Sequence, residues 1–356
     1  MRRSVGPHMC GPITKYCMAL VNDANDHRRP PALLAVPNVS EGRSRATIDA
    51  VGDAFLGVPA RARARARGVP FAQHIGREDV RLLDVHSDAD HHRSVYTLAG
   101  APGALADALL RGAREAVARI DVMAGAGEGA RGEHPYVGAL DVAPIVYLRE
   151  EDRGAACARA LVLADRLADE LSLPVFLYGE LKGRDAGRRS ARAHLRRGGV
   201  AGLAERLRRG ELRPDFGPAR LHPTAGATLV AARPPLVAFN VVLAPPADVA
   251  AARRIAGLIR ESGREGIPGV RAIGVSLAGG VAQVSTNVEL PLQTPLALVV
   301  AAVARHASVA GAEIVGLAPA AALAGFPAEV PIAGFQPERQ LIERALPEEA
   351  RGGAVG

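Results

Sequence analysis

The feature that most constrains this chain is one order of hydrophobic segments that occurs twice. A short apolar run at 33–37 opens the first copy. Ile48, Val51 and Phe55 then recur at helical spacing within 47–55. Runs at 80–85 and 95–99, separated by a polar loop, predict a hairpin. A helix is expected over 105–117, with Pro102-Gly103 as its start signal, and a strand over 142–148. The second copy has a strand at 236–243 and a helix at 247–262. A hairpin at 270–277 and 281–288 turns at Gly279-Gly280, a helix covers 296–307 and a strand 313–317. Each copy reads βαββαβ, which predicts an α+β chain, an α/β sandwich of two ferredoxin-like subdomains with a ligand cleft between them.

Between the copies lie an amphipathic helix at 155–171 and a strand at 175–178. The stretch 182–213 is strongly basic and broken by glycines, so it is expected to be a helical linker rather than core. The expected divisions are a disordered extension at 1–30, the first subdomain with its linker at 31–213, the second subdomain at 214–325 and a tail at 326–356. A short helix is expected near 337–345.

Charge raises a nucleic-acid reading, because 44 Lys+Arg against 37 Asp+Glu leaves a net +7. Composition argues against it. Tryptophan is absent, aromatics make up 3% and the only lysines are Lys15 and Lys182, so stacking platforms for single strands are missing. The Arg-Ala alternation at 61–67 reads as a solvated face. No apolar run approaches the roughly 18 residues of a membrane span, and no signal-peptide core is expected near the N-terminus. Cys10, Cys17 and Cys157 make neither a disulfide framework nor a zinc spacing, so a reducing cytoplasm is the expected setting.

Polar, glycine-containing segments beside the predicted strand ends are the places for chemistry. His134, in Gly132-Glu133-His134-Pro135, is the candidate general acid/base because imidazole titrates near neutrality. Pro135 biases His134 to an extended backbone. His86, Asp88, Asp90, His91 and His92 supply oxygen and nitrogen ligand types, but without an HExxH or EF-hand pattern. A metal site and a polar hairpin loop both remain open there. The Pro- and Gly-rich stretch at 217–226 reads as a rigid loop or a plain linker.

These segments, taken in order, resemble the formiminotransferase family. Val36-Pro37-Asn38-Val39-Ser40-Glu41-Gly42 is similar to its opening VPNxSEG. Leu82-Leu83-Asp84-Val85 and Arg93-Ser94-Val95-Tyr96-Thr97 are similar to its first hairpin. Gly132-Glu133-His134-Pro135 with Gly138-Ala139-Leu140-Asp141-Val142 is similar to its GEHPxxGALDV signature. The segments at 175–180, 214–218, 238–240 and 282–287 also fit. The resemblance spans about 33–323 and implies two α/β subdomains with folate in the cleft. It implies transfer of a formimino group from N-formimino-L-glutamate to N5 of tetrahydrofolate, the co-substrate, in histidine degradation and one-carbon metabolism.

By that resemblance His134 is catalytic. Gly217, Pro218, Ala219, Arg220, Leu221, His222, Pro223, Thr224, Ala225 and Gly226 bind folate, and Asn38, Ser40, Glu41, His86, Arg93 and Gln283 line the cleft. No metal, nucleic acid or membrane is expected, and homodimers are an expectation of the resemblance. His86 stands where animal members carry an acidic residue, and Ala225 where they carry an aromatic one. With about 30 residues after Leu323, the cyclodeaminase domain of bifunctional members is not expected here. The competing readings are a folate- or anion-binding homologue without transfer activity and a metal-dependent hydrolase of an N-formimino or amide bond using the loop from His86 to His92.

Overall fold

The computed structural model describes residues 33–58, 80–124, 135–182 and 192–346. The expected extension at 1–30, the Arg-Ala run at 61–67, His134 and the last ten residues lie outside them. The first subdomain begins with β1 (Leu33–Ala35), β2 (Asn38–Val39) and helix α1 (Arg45–Leu56). Ser44 caps α1 by accepting from the Thr47 N–H, and Gly57, at φ 65°, ends it in the left-handed region. Ile48, Val51 and Phe55 form its buried face. Phe55 meets Tyr96 edge-on at 5.1 Å between ring centroids, and the Tyr96 hydroxyl donates to the Ile48 carbonyl at 2.7 Å.

The hairpin β3 (Arg81–Asp88) and β4 (Arg93–Gly100), helix α2 (Pro102–Arg119) and β5 (Leu140–Tyr147) complete the first copy. The broken strand β1/β2 lies between β4 and β5, and β3 pairs with the far edge of β4. The second copy is β8 (Val237–Leu243), α6 (Val249–Ile259), β9 (Val270–Ser276), β10 (Ala282–Val288), α7 (Leu296–Ala304) and β11 (Val309–Val315). Its order is β11-β8-β10-β9. Numbering the strands within each copy gives 4-1-3-2 in both, all antiparallel, so the repeat predicted from hydrophobic periodicity is a repeat of topology.

Between the copies run α3 (Arg153–Leu171), β6 (Val175–Gly179), α4 (Arg192–Leu195), α5 (Gly199–Arg208) and β7 (Thr228–Arg233). Strand β7 pairs in parallel with both β5 and β6, extending the first sheet. The division expected at 213/214 therefore falls before a strand that belongs to the first sheet. The reason is geometric: parallel pairing needs a long crossover, and 180–227 supplies it.

The basic stretch expected as a linker is also core. Leu195, Leu203 and Leu207 pack on Val142, Phe176, Tyr178, Leu229 and Ala231. The interleaved arginines hid an apolar stripe at helical spacing. Leu203→Ala is expected to cost about 2–5 kcal/mol in urea unfolding, whereas a change in a solvated linker would stay near ±0.5 kcal/mol.

The tail is likewise packed. Helices α8 (Pro337–Gln340) and α9 (Ile342–Ala345) bring Ile342 and Leu346 onto Leu34, Leu83 and Val146 of the first sheet and Leu317 beyond β11. Residues after β11 thus tie the second subdomain to the first.

Candidate active site

Period-2 alternation assigns one face of each sheet to its main helices and the other to the cleft, except where α4 and α5 cover part of that second face in the first sheet. In the first sheet, Ala143, Ile145 and Tyr147 join the helical core, while Val142, Pro144 and Val146 line the cleft. In the second, Phe239, Val241 and Val284 face α6 and α7, while Ala238, Asn240, Ser285 and Asn287 face the cleft. The cleft has two adjoining lobes that share Arg93, Val95, Ala238, Asn287 and Val315.

The larger lobe, of 620 Å³, is lined by Asn38, Arg93, Tyr178, Arg192, Arg233 and Asn287 among apolar side chains. Three arginines line it and, among its described residues, no carboxylate does. Burial pushes the Arg93 guanidinium down to about 9, with the neighbouring Arg196 adding to the effect. Burial likewise lowers Arg233, to about 10. Arg192 stacks over the Tyr178 ring at 5.5 Å and reaches Glu289 at 3.4 Å. Asn38 Oδ1 and Arg233 Nε are buried and make no hydrogen bond within the protein. The cations and the unsatisfied Arg233 N–H suit a polar anion, while the Asn38 oxygen would accept from a ligand N–H or O–H.

Behind this lobe, Asp141 and Arg196 form a buried ion pair. The other Asp141 oxygen accepts from the Val137 N–H at 2.9 Å. Ser40 Oγ donates to the Gly138 carbonyl at 2.7 Å, and a Cβ at Gly138 would sit 1.8 Å from the Ala227 oxygen. The chain after His134 is therefore anchored on three sides, and only glycine fits at its closest approach.

The smaller lobe, of 470 Å³, is lined by His86, Asp88, His91, Arg93, Asn240 and Ser285, among others. His86 Nε2 lies 3.4 Å from Glu313 Oε1, and Asn240 donates to Glu313 Oε2 at 2.8 Å. His91 Nε2 meets the buried Gln283 Oε1 at 3.2 Å. Asp90 accepts from the Ala278 N–H at 2.9 Å, a contact between the turns of the two hairpins.

Of the predicted cleft residues, the structure brings Asn38, Arg93 and His86 to the cavity walls. Gln283 holds the hairpin through His91. Ser40 and Glu41 instead build the turn after β2: Glu41 Oε1 accepts from the Arg43 and Ser44 N–H groups at 2.7 and 2.9 Å. His92 Nδ1 accepts from the Gly42 N–H at 3.2 Å. Burial lowers the His92 pKa, so its 3.6 Å approach to Glu41 is the contact of a neutral acceptor rather than an ion pair.

The metal-type ligands of the loop from His86 to His92 are spent in the same way. Asp88 accepts from the His91 N–H at 2.7 Å, and the other members serve the contacts above. Among the described residues no group of three or more His, Cys, Asp or Glu side chains is arranged to hold a metal.

The ten residues from Gly217 to Gly226 line neither lobe. They form the loop leading into β7, bridged to Gly138 through Gly226 and to the start of β6 through Phe216. His222 Nδ1 accepts from the Ala225 N–H at 3.0 Å, and burial holds its pKa below the usual histidine value. Ala225 is 1% exposed and belongs to the helical core, so an aromatic ring is not missing from a stacking surface there. Gly217, Ala219, Arg220 and Pro223 are the exposed positions of this loop.

Sequence reasoning missed Tyr178, Arg192, Arg233 and the Asp141–Arg196 pair as site components. Arg233 closes an otherwise apolar strand, an out-of-place charge that could have been read as facing a ligand.

The fold and lining define a cleft for an anionic small molecule between two like subdomains. The profile of the formiminotransferase domain, N-terminal subdomain, matches residues 32–233, and that of the formiminotransferase domain matches 238–327. The chain is 35% identical over 319 residues to a glutamate formimidoyltransferase of Streptococcus pyogenes serotype M1, covering 87% of this chain and 97% of that one. It is 31% identical over 294 residues to one of Thermoplasma acidophilum, covering 81% of this chain and 88% of that one. It is 39% identical over 301 residues to a formimidoyltransferase-cyclodeaminase of Sus scrofa, spanning 81% of this chain but half the length of that protein. The chain belongs to the formiminotransferase family. No helix among the described residues is long and apolar enough to cross a membrane.

Proposed function

We propose that the protein transfers the formimino group of N-formimino-L-glutamate to N5 of tetrahydrofolate, a step of histidine degradation. The observation that carries this reading is the larger lobe: three arginines and, among the described residues, no acidic side chain, in a member of this family. Both substrates carry carboxylates, which guanidinium forks bind in bidentate fashion. Apolar Val36, Val95, Pro144 and Leu236 exclude water around them, which strengthens each charge contact. Holding both substrates in one cleft removes most of the entropic barrier to their meeting.

N5 attacks the electrophilic amidine carbon, a proton leaves N5, and another must reach the departing glutamate nitrogen. His134 is the proposed general acid/base, and the segment from Val137 that follows it in sequence is anchored. The exposed residues of the 217–226 loop are proposed to touch the folate from the sheet end. A reducing cytoplasm suits an oxidation-prone reduced pterin. Replacing His134 by Ala is expected to cut turnover at least about 100-fold with the melting temperature unchanged. An undiminished rate would remove His134 from the chemistry. The deciding assay offers tetrahydrofolate with N-formiminoglutamate or N-formylglutamate as donor. Transfer from the first is expected, and its absence would overturn the proposal.

A further inference from the structure

One titratable pair joins the two subdomains across the smaller lobe. His86 comes from β3 of the first sheet and Glu313 from β11 of the second, 3.4 Å apart, with Asn240 of β8 holding the other carboxylate oxygen at 2.8 Å. His86 lines the cavity that adjoins the arginine lobe through Arg93. Resting on the transfer reaction proposed above, we propose that His86, held by Glu313, is the acid that protonates the departing nitrogen of the formimino donor.

Several charges surround His86. Asp84 and Asp88 precede and follow it on the same face of β3, and Arg93 of β4 lies opposite Asp88. Glu313 faces it from β11, His91 from the hairpin turn, and Arg339 of α8 acts on Asp84. Burial works against a charged imidazole here. The hydrogen bond and charge of Glu313, then Asp84 and Asp88, outweigh it, so the His86 pKa lies above the usual histidine value. These neighbours favour the protonated ring. A proton donor whose charged form is favoured in this way suits an amine nitrogen in a tetrahedral intermediate.

The step balances without oxidant or reductant. The N5–carbon bond forms and the carbon–glutamate-nitrogen bond breaks. The N5 proton passes to a base, His134 in the reading above, while the His86 proton passes to glutamate. Exchange with solvent resets both rings. Two groups with separate duties relieve one histidine of taking and giving a proton within the same intermediate.

The test is the pH dependence of kcat for the wild type, His86→Gln and Glu313→Gln, with melting temperatures to confirm folding. Wild-type turnover is expected to fall as pH rises through the His86 pKa. His86→Gln is expected to lower kcat about 100-fold, to remove that alkaline limb and to leave KM within a few-fold. Glu313→Gln is expected to keep the limb and move it to lower pH, because the charge that raises the pKa is gone; this arm stands even if His86→Gln fails to fold. The deficit of His86→Gln is expected to shrink with a formimino donor whose leaving amine is less basic. An unmoved limb in Glu313→Gln, a retained limb in a folded His86→Gln, or a change in KM alone would overturn the role. A wild type that fails to transfer from N-formiminoglutamate to tetrahydrofolate would overturn the underlying reading and the role with it; an active wild type whose variants behave like it would overturn the role alone.

Discussion

Replacing Arg93 by Met is expected to lower kcat/KM about 10³-fold while leaving the folded chain as stable as before or more so. Arg93 is buried where the two lobes meet, and burial together with Arg196 brings its pKa down to about 9. A cation held against such a gradient costs folding free energy at neutral pH. Methionine keeps the length and removes the charge, so the cost is relieved. The substrate loses a desolvated, charge-assisted contact, which is worth about 2–5 kcal/mol when one partner is truncated; a 10³-fold loss corresponds to about 4 kcal/mol. Arg93→Lys should recover only part, because an ammonium cannot reproduce the planar fork. Steady-state kinetics and a thermal melt read the two effects separately. A variant that melts well below the wild type yet turns over normally would show Arg93 to be structural.

Asp141→Ala should destabilise the protein by about 3–5 kcal/mol, because it strands the buried Arg196 guanidinium. At about 1.5 °C per kcal/mol for a chain of this size, the melting temperature should drop by roughly 4–8 °C. Asp141 also accepts from the Val137 N–H, so the segment after His134 loosens and turnover falls with it. Adding Arg196→Leu should restore much of the stability, since the uncompensated charge is then gone, but not the turnover. A single variant that melts within a degree or two of the wild type would mean the pair contributes little.

Sequence and structure agree best where a local rule governs. Ile48, Val51 and Phe55 at helical spacing, Ser44 at the cap and Gly57 at the end specify α1 with no tertiary information. Gly279 and Gly280, at φ 71° and 77°, specify the turn of the second hairpin. His86, Asn38 and Arg93 could be picked out because polar side chains recur beside strand ends, and the family resemblance gave them an order. Glu41, expected to line the cleft, instead caps the turn after β2, and the reason is local too. A carboxylate next to an arginine-containing turn looks the same in sequence whether it meets substrate or caps backbone N–H groups.

The rest was not local. Leu195, Leu203 and Leu207 sit among arginines whose charge masks the stripe until the sheet they cover is known. The strand Thr228–Arg233 was not expected from the sequence, and its parallel partners β5 and β6 place it in the first sheet. The residues from Gly217 to Gly226 lead into that strand rather than line either lobe, and Ala225 is core. What the sequence by itself determined is therefore the two βαββαβ units and the side chains available to a cleft, since periodicity and caps act over a few residues. Only the tertiary structure decided that Arg93, Arg192 and Arg233 converge on one cavity and that His86 meets Glu313. Those meetings depend on how two sheets, distant in sequence, turn their non-helical faces to each other. No period within a single segment encodes that arrangement.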